Sequence, residues 1–269
     1  MKLTRFLVLA ALVSLGAAGC HHHSAAARRS YRPTVDPEFV KLSKDQLFDR
    51  GEQFFAKKRY QRARSFYTYV YETYPNDPLG RRALLRVADT YYSQGDPVNL
   101  VEAQYKYRDF INRYPGSDRA DYAMLQIANV SYKQMERPDR DQQKTHEAVE
   151  KFNDMLRTYP KSSLRPEAEK RLQDAMDRLA KHEHIIAKYY IKRKSFDAAV
   201  RRLNGLVEEY PNYHDRDAVF YDLGDSLEQL GRKNEAKLYY ERVVAEFPKS
   251  DYAGKARHRL EETKGQTKA

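Results

Sequence analysis

The residues with the most obvious metal-binding chemistry are His182, Glu183 and His184, which are consecutive in the sequence. Imidazole and carboxylate groups are common ligands of zinc and related metals. On a helix, residues two positions apart point to different sides, whereas helical metal ligands are spaced three or four residues apart. We therefore predict that this tripeptide is not a ligand set.

Other groups that could carry chemistry are scattered or have no fixed arrangement. The acidic run 139–141 could hold a cation, but a salt-bridged or helix-capping loop is the simpler prediction. The histidine triplet 21–23 lies in a stretch without periodicity, so nothing would orient it around a metal. We interpret His146, His214 and His258 as isolated and solvated. There is no glycine-rich phosphate loop. The sequence thus predicts a protein that is not an enzyme and has no cofactor or metal.

The first twenty residues resemble a bacterial export signal that ends at a lipid-attachment site. Lys2 and Arg5 form a short positive segment before an apolar run, 6–18, which is too short to span a bilayer as a mature helix. Small residues then lead to Cys20, as in a lipobox, where the thiol is acylated after the signal is removed. Ala17 stands where such motifs usually carry leucine. The alternative is an ordinary cleavage that releases a soluble periplasmic protein.

Cys20 is the only cysteine, so it cannot form an intrachain disulfide, and acylation gives the thiol a role. We therefore predict a signal peptide over 1–19 and a lipidated cysteine with a flexible tether over 20–40. By resemblance to enterobacterial sorting rules, His21 favours the outer membrane, at its periplasmic face.

Charge and hydropathy restrict the partners of the mature chain. The net charge of +11 falls to +9 when the signal is removed. No nucleic acid is available in the periplasm, so anionic headgroups and acidic protein surfaces are the expected counterparts. The mean hydropathy is −0.88, and no later segment is long and apolar enough to predict a membrane span.

Five aromatic–proline pairs mark an internal repeat. An alanine stands twelve positions before each proline, and a large apolar residue stands four positions after each alanine. The pairs are Tyr74-Pro75, Tyr114-Pro115, Tyr159-Pro160, Tyr210-Pro211 and Phe247-Pro248; the alanines are Ala63, Ala103, Ala148, Ala199 and Ala236; the large residues are Tyr67, Tyr107, Phe152, Leu203 and Tyr240.

These positions predict helical hairpins. The alanine lets the second helix of each hairpin approach the first, the large residue fills the groove between them, and the proline ends the second helix. With Gly51 and Gly224 at the matching position of the first and last repeats, the pattern resembles the tetratricopeptide repeat. We predict an all-α superhelical solenoid of five tetratricopeptide-like hairpins over 41–262, followed by a polar tail, 263–269.

The helix boundaries follow from the same signals. The fourth hairpin is expected to open with Pro166 and a helix of roughly 40 Å, long enough to brace two halves of the solenoid. The predicted hairpin helices are 44–57 with 61–74, 78–94 with 100–114, 118–136 with 144–158, 166–192 with 196–210 and 217–230 with 234–246, and a capping helix is expected over 252–264.

Solenoids of this kind bind extended peptides along the face formed by the first helix of each hairpin. In the first two hairpins, the positions expected on that face are aromatic or acidic and suit a peptide with apolar and basic side chains. Packing between hairpins is the alternative role for some of them. The candidate groove residues are Phe48, Glu52, Phe55, Asp89 and Tyr92.

Longer motifs resemble one family rather than repeats in general. Their order and spacing are similar to the BamD family, the lipoproteins of the outer-membrane β-barrel assembly machine. The likeness covers roughly residues 41 to 250 and is most specific over 105–212. The chain departs from the family in its weak lipobox and in a last repeat closer to generic tetratricopeptide sequence. The motifs are Phe110-Ile111-x-x-Tyr114-Pro115, Asp121-Tyr122-Ala123, Asp139-Arg140-Asp141-x-Gln143, Tyr159-Pro160-x-Ser162, Arg178-Leu179-Ala180-Lys181-x-Glu183, Ala187-x-Tyr189-Tyr190 and Ala199-x2-Arg202.

The resemblance implies partners as well as a fold. Members of this family bind the barrel-forming subunit BamA through its periplasmic domains, receive nascent β-barrel substrates on their N-terminal repeats, and in some systems contact accessory lipoproteins. Arg202 falls where the family has an arginine implicated in the BamA contact; an ordinary solvated arginine is the alternative. A different periplasmic tetratricopeptide scaffold, for envelope division, peptidoglycan or polysaccharide export, is the alternative function.

Overall fold

The computed structural model describes residues 37–266, and the regular elements in that range are all α-helices. Cys20, the histidine triplet and the predicted signal peptide lie outside the described residues. The helices are α1 (Pro37–Lys41), α2 (Lys44–Ala56), α3 (Tyr60–Thr73), α4 (Pro78–Gln94), α5 (Pro97–Arg113), α6 (Ala120–Lys133), α7 (Gln143–Thr158), α8 (Arg165–Lys192), α9 (Phe196–Glu209), α10 (Arg216–Gln229), α11 (Lys233–Glu246) and α12 (Asp251–Gln266).

The helices pair as five hairpins, from α2 with α3 to α10 with α11, and α12 packs against the last of them. The predicted all-α solenoid of five tetratricopeptide-like hairpins is confirmed. Most helix ends lie within one or two residues of the prediction, but α5 begins at Pro97 rather than at residue 100. Asp96 caps α5 by accepting a hydrogen bond from the Asn99 amide (3.1 Å), and Pro97 then fits the first helical turn.

The folded region begins earlier than the sequence predicted. Residues 37–40, which the sequence places in the tether, form most of α1. Phe39 of this helix is buried, with its ring 4.8 Å from that of Phe66 and 5.0 Å from that of Tyr69. The boundary was misplaced because the two rings that cover Phe39 lie on α3, too far along the sequence for a local pattern to reveal them.

The five aromatic–proline pairs form five turns of one kind. Each aromatic residue ends the second helix of its hairpin with φ between −132° and −123° and ψ between 54° and 65°. This conformation is non-helical, as expected for a residue that precedes proline. In each turn the aromatic residue's carbonyl accepts a hydrogen bond from the amide three residues later, at 3.0 to 3.1 Å. The proline therefore sets both the end of one hairpin and the direction of the next.

The first helices of the hairpins, together with α12, form one face of the solenoid, which we call the inner face. A polar contact joins each successive pair of these helices. A carboxylate takes part in every contact, and its partner is an arginine at two joints, a tyrosine at two and a histidine at one. The contacts are Glu52 with Arg86 (2.6 Å), Asp89 with Tyr122 (2.8 Å), Asp174 with Tyr132 (2.6 Å), Asp222 with His184 (2.8 Å) and Asp225 with Arg259 (3.0 Å).

Candidate binding surfaces

The three residues of the conspicuous tripeptide on α8 point in three directions. His182 donates from Nδ1 to the carbonyl of Pro138 (2.7 Å), in the loop before α7. Glu183 pairs with Arg202 on α9, and buried His184 contacts Asp222 on α10. Each side chain thus contacts a different hairpin. In the described part of the chain, no group of three or more His, Cys, Asp or Glu side chains is arranged to hold a metal.

The acidic loop 139–141 and at least one of the three remaining histidines contact charged or backbone groups of the protein itself. Asp139 pairs with Arg137 (2.9 Å), and Asp141 accepts a hydrogen bond from the Gln143 amide at the start of α7 (2.9 Å). The loop is therefore salt-bridged, one of the two roles expected from the sequence, and Asp141 also provides an acceptor for the first amide of α7. His146, His214 and His258 are exposed, as expected. His214 is not isolated, because its Nδ1 lies 2.9 Å from an Asp177 carboxylate oxygen.

The candidate groove residues divide into buried and accessible ones. Phe48 is only 3% exposed and Asp89 only 7%, so neither offers an open surface to a ligand. Phe48 packs 5.4 Å from the Tyr67 ring, and the Asp89 carboxylate accepts hydrogen bonds from two tyrosines of the neighbouring helices. Both also pack between hairpins, the alternative left open by the sequence: Arg82 of the second hairpin lies 4.7 Å from the centre of the Phe48 ring, and Tyr122 of the third donates to Asp89. Glu52, Phe55 and Tyr92 are half-buried and remain accessible.

Arg86 joins three of the five candidate groove residues in one cluster. Its guanidinium donates to both oxygens of Glu52 (2.6 and 2.7 Å) and to Asp89 (3.1 Å), and it lies 4.1 Å from the centre of the Phe55 ring. Burial opposes ionisation of Glu52, but hydrogen bonds from Arg86 and Tyr67 outweigh it and lower the pKa of this carboxyl. Glu52 and Asp89, the acidic groups expected to meet a basic peptide, therefore share one guanidinium.

Tyr92 lines a depression of about 600 Å³ on the inner face, where α4, α6 and α8 meet. Four other residues in its wall are aromatic or cationic. They come from two helices far apart in the chain, so no local sequence pattern connects them. They are Tyr132, Lys133, Lys170 and Arg171.

Arg202 lies on α9 in a second depression, of about 390 Å³, between α8 and α9. Its side chain is 45% exposed and pairs with Glu183 at 2.8 Å. Tyr190, Arg201 and Glu209 also line this depression. Glu183 thus orients the guanidinium, while much of the side chain stays open to solvent and to a partner.

Five paired-helix repeats define a tetratricopeptide-type solenoid, and its surface carries an inner-face depression and an arginine-lined depression. No helix within residues 37–266 combines the length and apolar character that crossing a membrane requires. The chain belongs to the YfiO family, described as an outer membrane lipoprotein, whose family model matches residues 41–242.

Curated relatives carry a matching name. The chain is 25% identical to the outer membrane protein assembly factor BamD of Rickettsia prowazekii, over 94% of this chain and 95% of the relative. It is 24% identical to the protein of the same name from Caulobacter vibrioides, over 86% of this chain and 72% of the relative. The resemblance to the BamD family is confirmed. Among solved structures, the TPR2AB domain of yeast Sti1 in its pHSP90 complex is 16% identical with a TM-score of 0.43, over 81% of this chain and 84% of that domain.

Proposed function

We propose that this protein assists the folding and insertion of β-barrel proteins into the outer membrane, as an adaptor that binds the barrel-forming subunit BamA and substrate peptides. The observation that carries the proposal is the end-to-end likeness to relatives named as outer membrane protein assembly factors. In this proposal the protein is not an enzyme and needs no cofactor. Its effect comes from binding surfaces held at fixed positions along the solenoid.

We place the protein at the periplasmic face of the outer membrane, anchored by a lipid on Cys20. The family description as an outer membrane lipoprotein supports this location, and so does the lipobox-like sequence that ends at the single cysteine. The residues between Cys20 and α1 would tether the solenoid to the bilayer.

We assign BamA binding to the surface around Arg202. A guanidinium can pair with a carboxylate through two parallel hydrogen bonds, which gives both affinity and orientation. Glu183 holds Arg202 in one place while leaving the side chain 45% exposed, so a partner carboxylate can share it. Substrate peptides are assigned to the accessible inner-face residues Glu52, Phe55 and Tyr92. Accessory lipoproteins are further candidate partners.

The test is native affinity purification of the protein from detergent-solubilised envelopes, with mass spectrometry of what it retains. We expect a stoichiometric outer-membrane barrel protein that bears repeated periplasmic domains. Arg202→Glu should reduce that recovery about tenfold or more, because it places a second carboxylate against the partner's acidic group. Helicity by circular dichroism should not change.

Arg157→Glu is the control, because Arg157 is also an exposed, carboxylate-paired arginine on the second helix of a hairpin, although its partner Asp154 lies on the same helix. It should leave recovery of the barrel protein unaltered. Equal recovery with Arg202→Glu and Arg157→Glu would remove Arg202 from the interface. Recovery of peptidoglycan-linked or export proteins, with no such barrel, would overturn the proposed function and leave the fold in place.

A further inference from the structure

The depression beside Tyr92 has the dimensions and composition of a ligand site. At about 600 Å³ it falls within the range of small-ligand and side-chain pockets. Its wall combines the rings of Tyr92 and Tyr132 with the cationic groups of Lys133, Lys170 and Arg171. It lies on the face that solenoids of this class use for extended segments of other proteins.

Cations outnumber carboxylates in this depression, and the carboxylates are already engaged. Glu167 pairs with Arg171 (2.8 Å), and Asp174 accepts a hydrogen bond from the Tyr132 hydroxyl (2.6 Å). Lys170 is exposed, and among the described residues no carboxylate forms an ion pair with it. The positive charge that remains available to a ligand is therefore concentrated at Lys170, with Lys133 beside it.

The aromatic wall is held in place before any ligand arrives. Lys133 donates to the Tyr92 carbonyl (3.0 Å) and lies 4.7 Å from the centre of the Tyr92 ring. Arg171 lies 5.8 Å from the centre of the Tyr132 ring. Burial raises the pKa of both tyrosines, so their hydroxyls stay neutral. A preorganised wall of this kind reduces the entropy lost on binding.

We infer that this depression binds an acidic segment of a partner protein that carries an aromatic side chain next to its carboxylates. The aromatic side chain would lie against Tyr92 and Tyr132, and the carboxylates would pair with Lys170 and Lys133. Because the segment belongs to a protein partner, we rest this inference on the function proposed above. The inference places recognition of this acidic segment where the second, third and fourth hairpins meet, apart from the acidic groups Glu52 and Asp89.

The inference is tested with fluorescein-labelled dodecapeptides and fluorescence anisotropy on the whole protein. A peptide of alternating Glu and Phe should bind, and raised salt should weaken it because part of the attraction is between exposed charges. A peptide of alternating Lys and Phe should not bind. A peptide of alternating Glu and Ser should bind several-fold more weakly, because it lacks the ring. Equal binding of the two Glu peptides would overturn the inference.

Lys170→Glu should lower the affinity for the Glu–Phe peptide about tenfold or more, since a cation facing the ligand becomes an anion. Lys188→Glu is the matched control, because Lys188 is an exposed lysine on the same helix and outside the depression. Equal loss in the two variants would mean a general attraction to a basic protein and would overturn the inference. Complete displacement of the peptide by vesicles of anionic phospholipid, with Lys170 required for vesicle binding, would also overturn it in favour of a lipid site.

The two proposals fail separately. The Lys170→Glu variant should still recover the barrel protein in affinity purification, and the Arg202→Glu variant should still bind the Glu–Phe peptide. Loss of the barrel protein from the wild-type purification while the peptide still binds would defeat the proposed function alone. Recovery of the barrel protein without any peptide binding would defeat the inference alone.

Discussion

At the scale of single residues, two glycines show how closely the helices of a hairpin approach. A β-carbon at Gly51 would lie 2.5 Å from the Tyr67 ring, and one at Gly224 would lie 2.6 Å from the Tyr240 ring. Both tyrosine rings are almost fully buried, so neither can move aside freely. Their hydroxyls donate to carboxylates on the facing helix, at Glu52 (2.7 Å) and Glu228 (2.9 Å). Each glycine thus lies against a tyrosine ring that is held in place by burial and by a hydrogen bond.

Gly51→Ala should destabilise the protein by up to about 2 kcal/mol. Displacing a packed ring costs roughly 1–3 kcal/mol, which outweighs the gain of about 1 kcal/mol that alanine brings to a helix interior. Gly205→Ala is the control, since nothing lies within 4 Å of its β-carbon position on α9, and it should stabilise. Thermal unfolding followed by circular dichroism measures both. A higher melting temperature for both variants would contradict the close approach at Gly51.

The sequence predicted which residues lie on the inner-face helices but not which of them are accessible. Spacing along α2 and α4 placed Phe48, Glu52 and Asp89 on the expected face. Burial of Asp89 depends on Tyr107 and Tyr122, which donate to it from two other helices at 2.6 and 2.8 Å. Contacts between distant parts of the chain leave no trace in local periodicity, so these residues could be located but their exposure could not be predicted.

At the scale of the element, α8 is the longest of the described helices, and its two ends belong to different packing regions. It has 28 residues, as expected from the sequence. Ala168 near its start belongs to the core formed with α6 and α7, whereas Leu179 and Ala187 belong to the core formed with α9 and α10. A single rigid helix therefore fixes the third hairpin relative to the fourth and fifth. His184, in its C-terminal half, provides its polar contact with α10.

His184→Ala should weaken the joint between the fourth and fifth hairpins. The substitution leaves the Asp222 carboxylate, whose side chain is 16% exposed, without its imidazole partner, and it opens a cavity. We expect the free energy of local unfolding to fall by about 2–4 kcal/mol. Hydrogen exchange with mass spectrometry should show faster exchange in α10 and no change in α2 to α5. His258→Ala, at a side chain 73% exposed, should leave exchange unaltered. Uniformly faster exchange along the chain would contradict a local joint.

At the scale of the whole molecule, the repeat pattern predicted the architecture because each hairpin contacts mainly its neighbours. Alanine, large residue and proline recur at fixed offsets, and they fix the count, order and ends of the hairpins. The depression beside Tyr92 could not be predicted in the same way, because α4, α6 and α8 each contribute to its wall. The extra helix α1 was missed for a related reason, since its only buried residue packs against α3.

The location of the whole molecule is expected to depend on one side chain. Cys20→Ser should leave a soluble periplasmic protein, because it removes the thiol to which lipid is attached. The location is measured by fractionating envelopes from cells that lack the barrel partner, because binding to that partner could itself retain the variant at the membrane. Cys20→Ala serves as a parallel variant and should behave alike. Retention of either variant in the membrane fraction would contradict the lipid anchor.

The polar contacts between successive inner-face helices have a consequence for how such a chain can change over evolutionary time. Each joint matches a carboxylate with its own partner, which is a guanidinium at the first and last joints, a phenol at the second and third, and an imidazole at the fourth. Neighbouring hairpins are therefore matched pairs and not interchangeable copies. Duplication or exchange of an internal hairpin would bring unmatched groups together, so the order of the hairpins is inherited as a unit and the array can lengthen or shorten readily only at its ends.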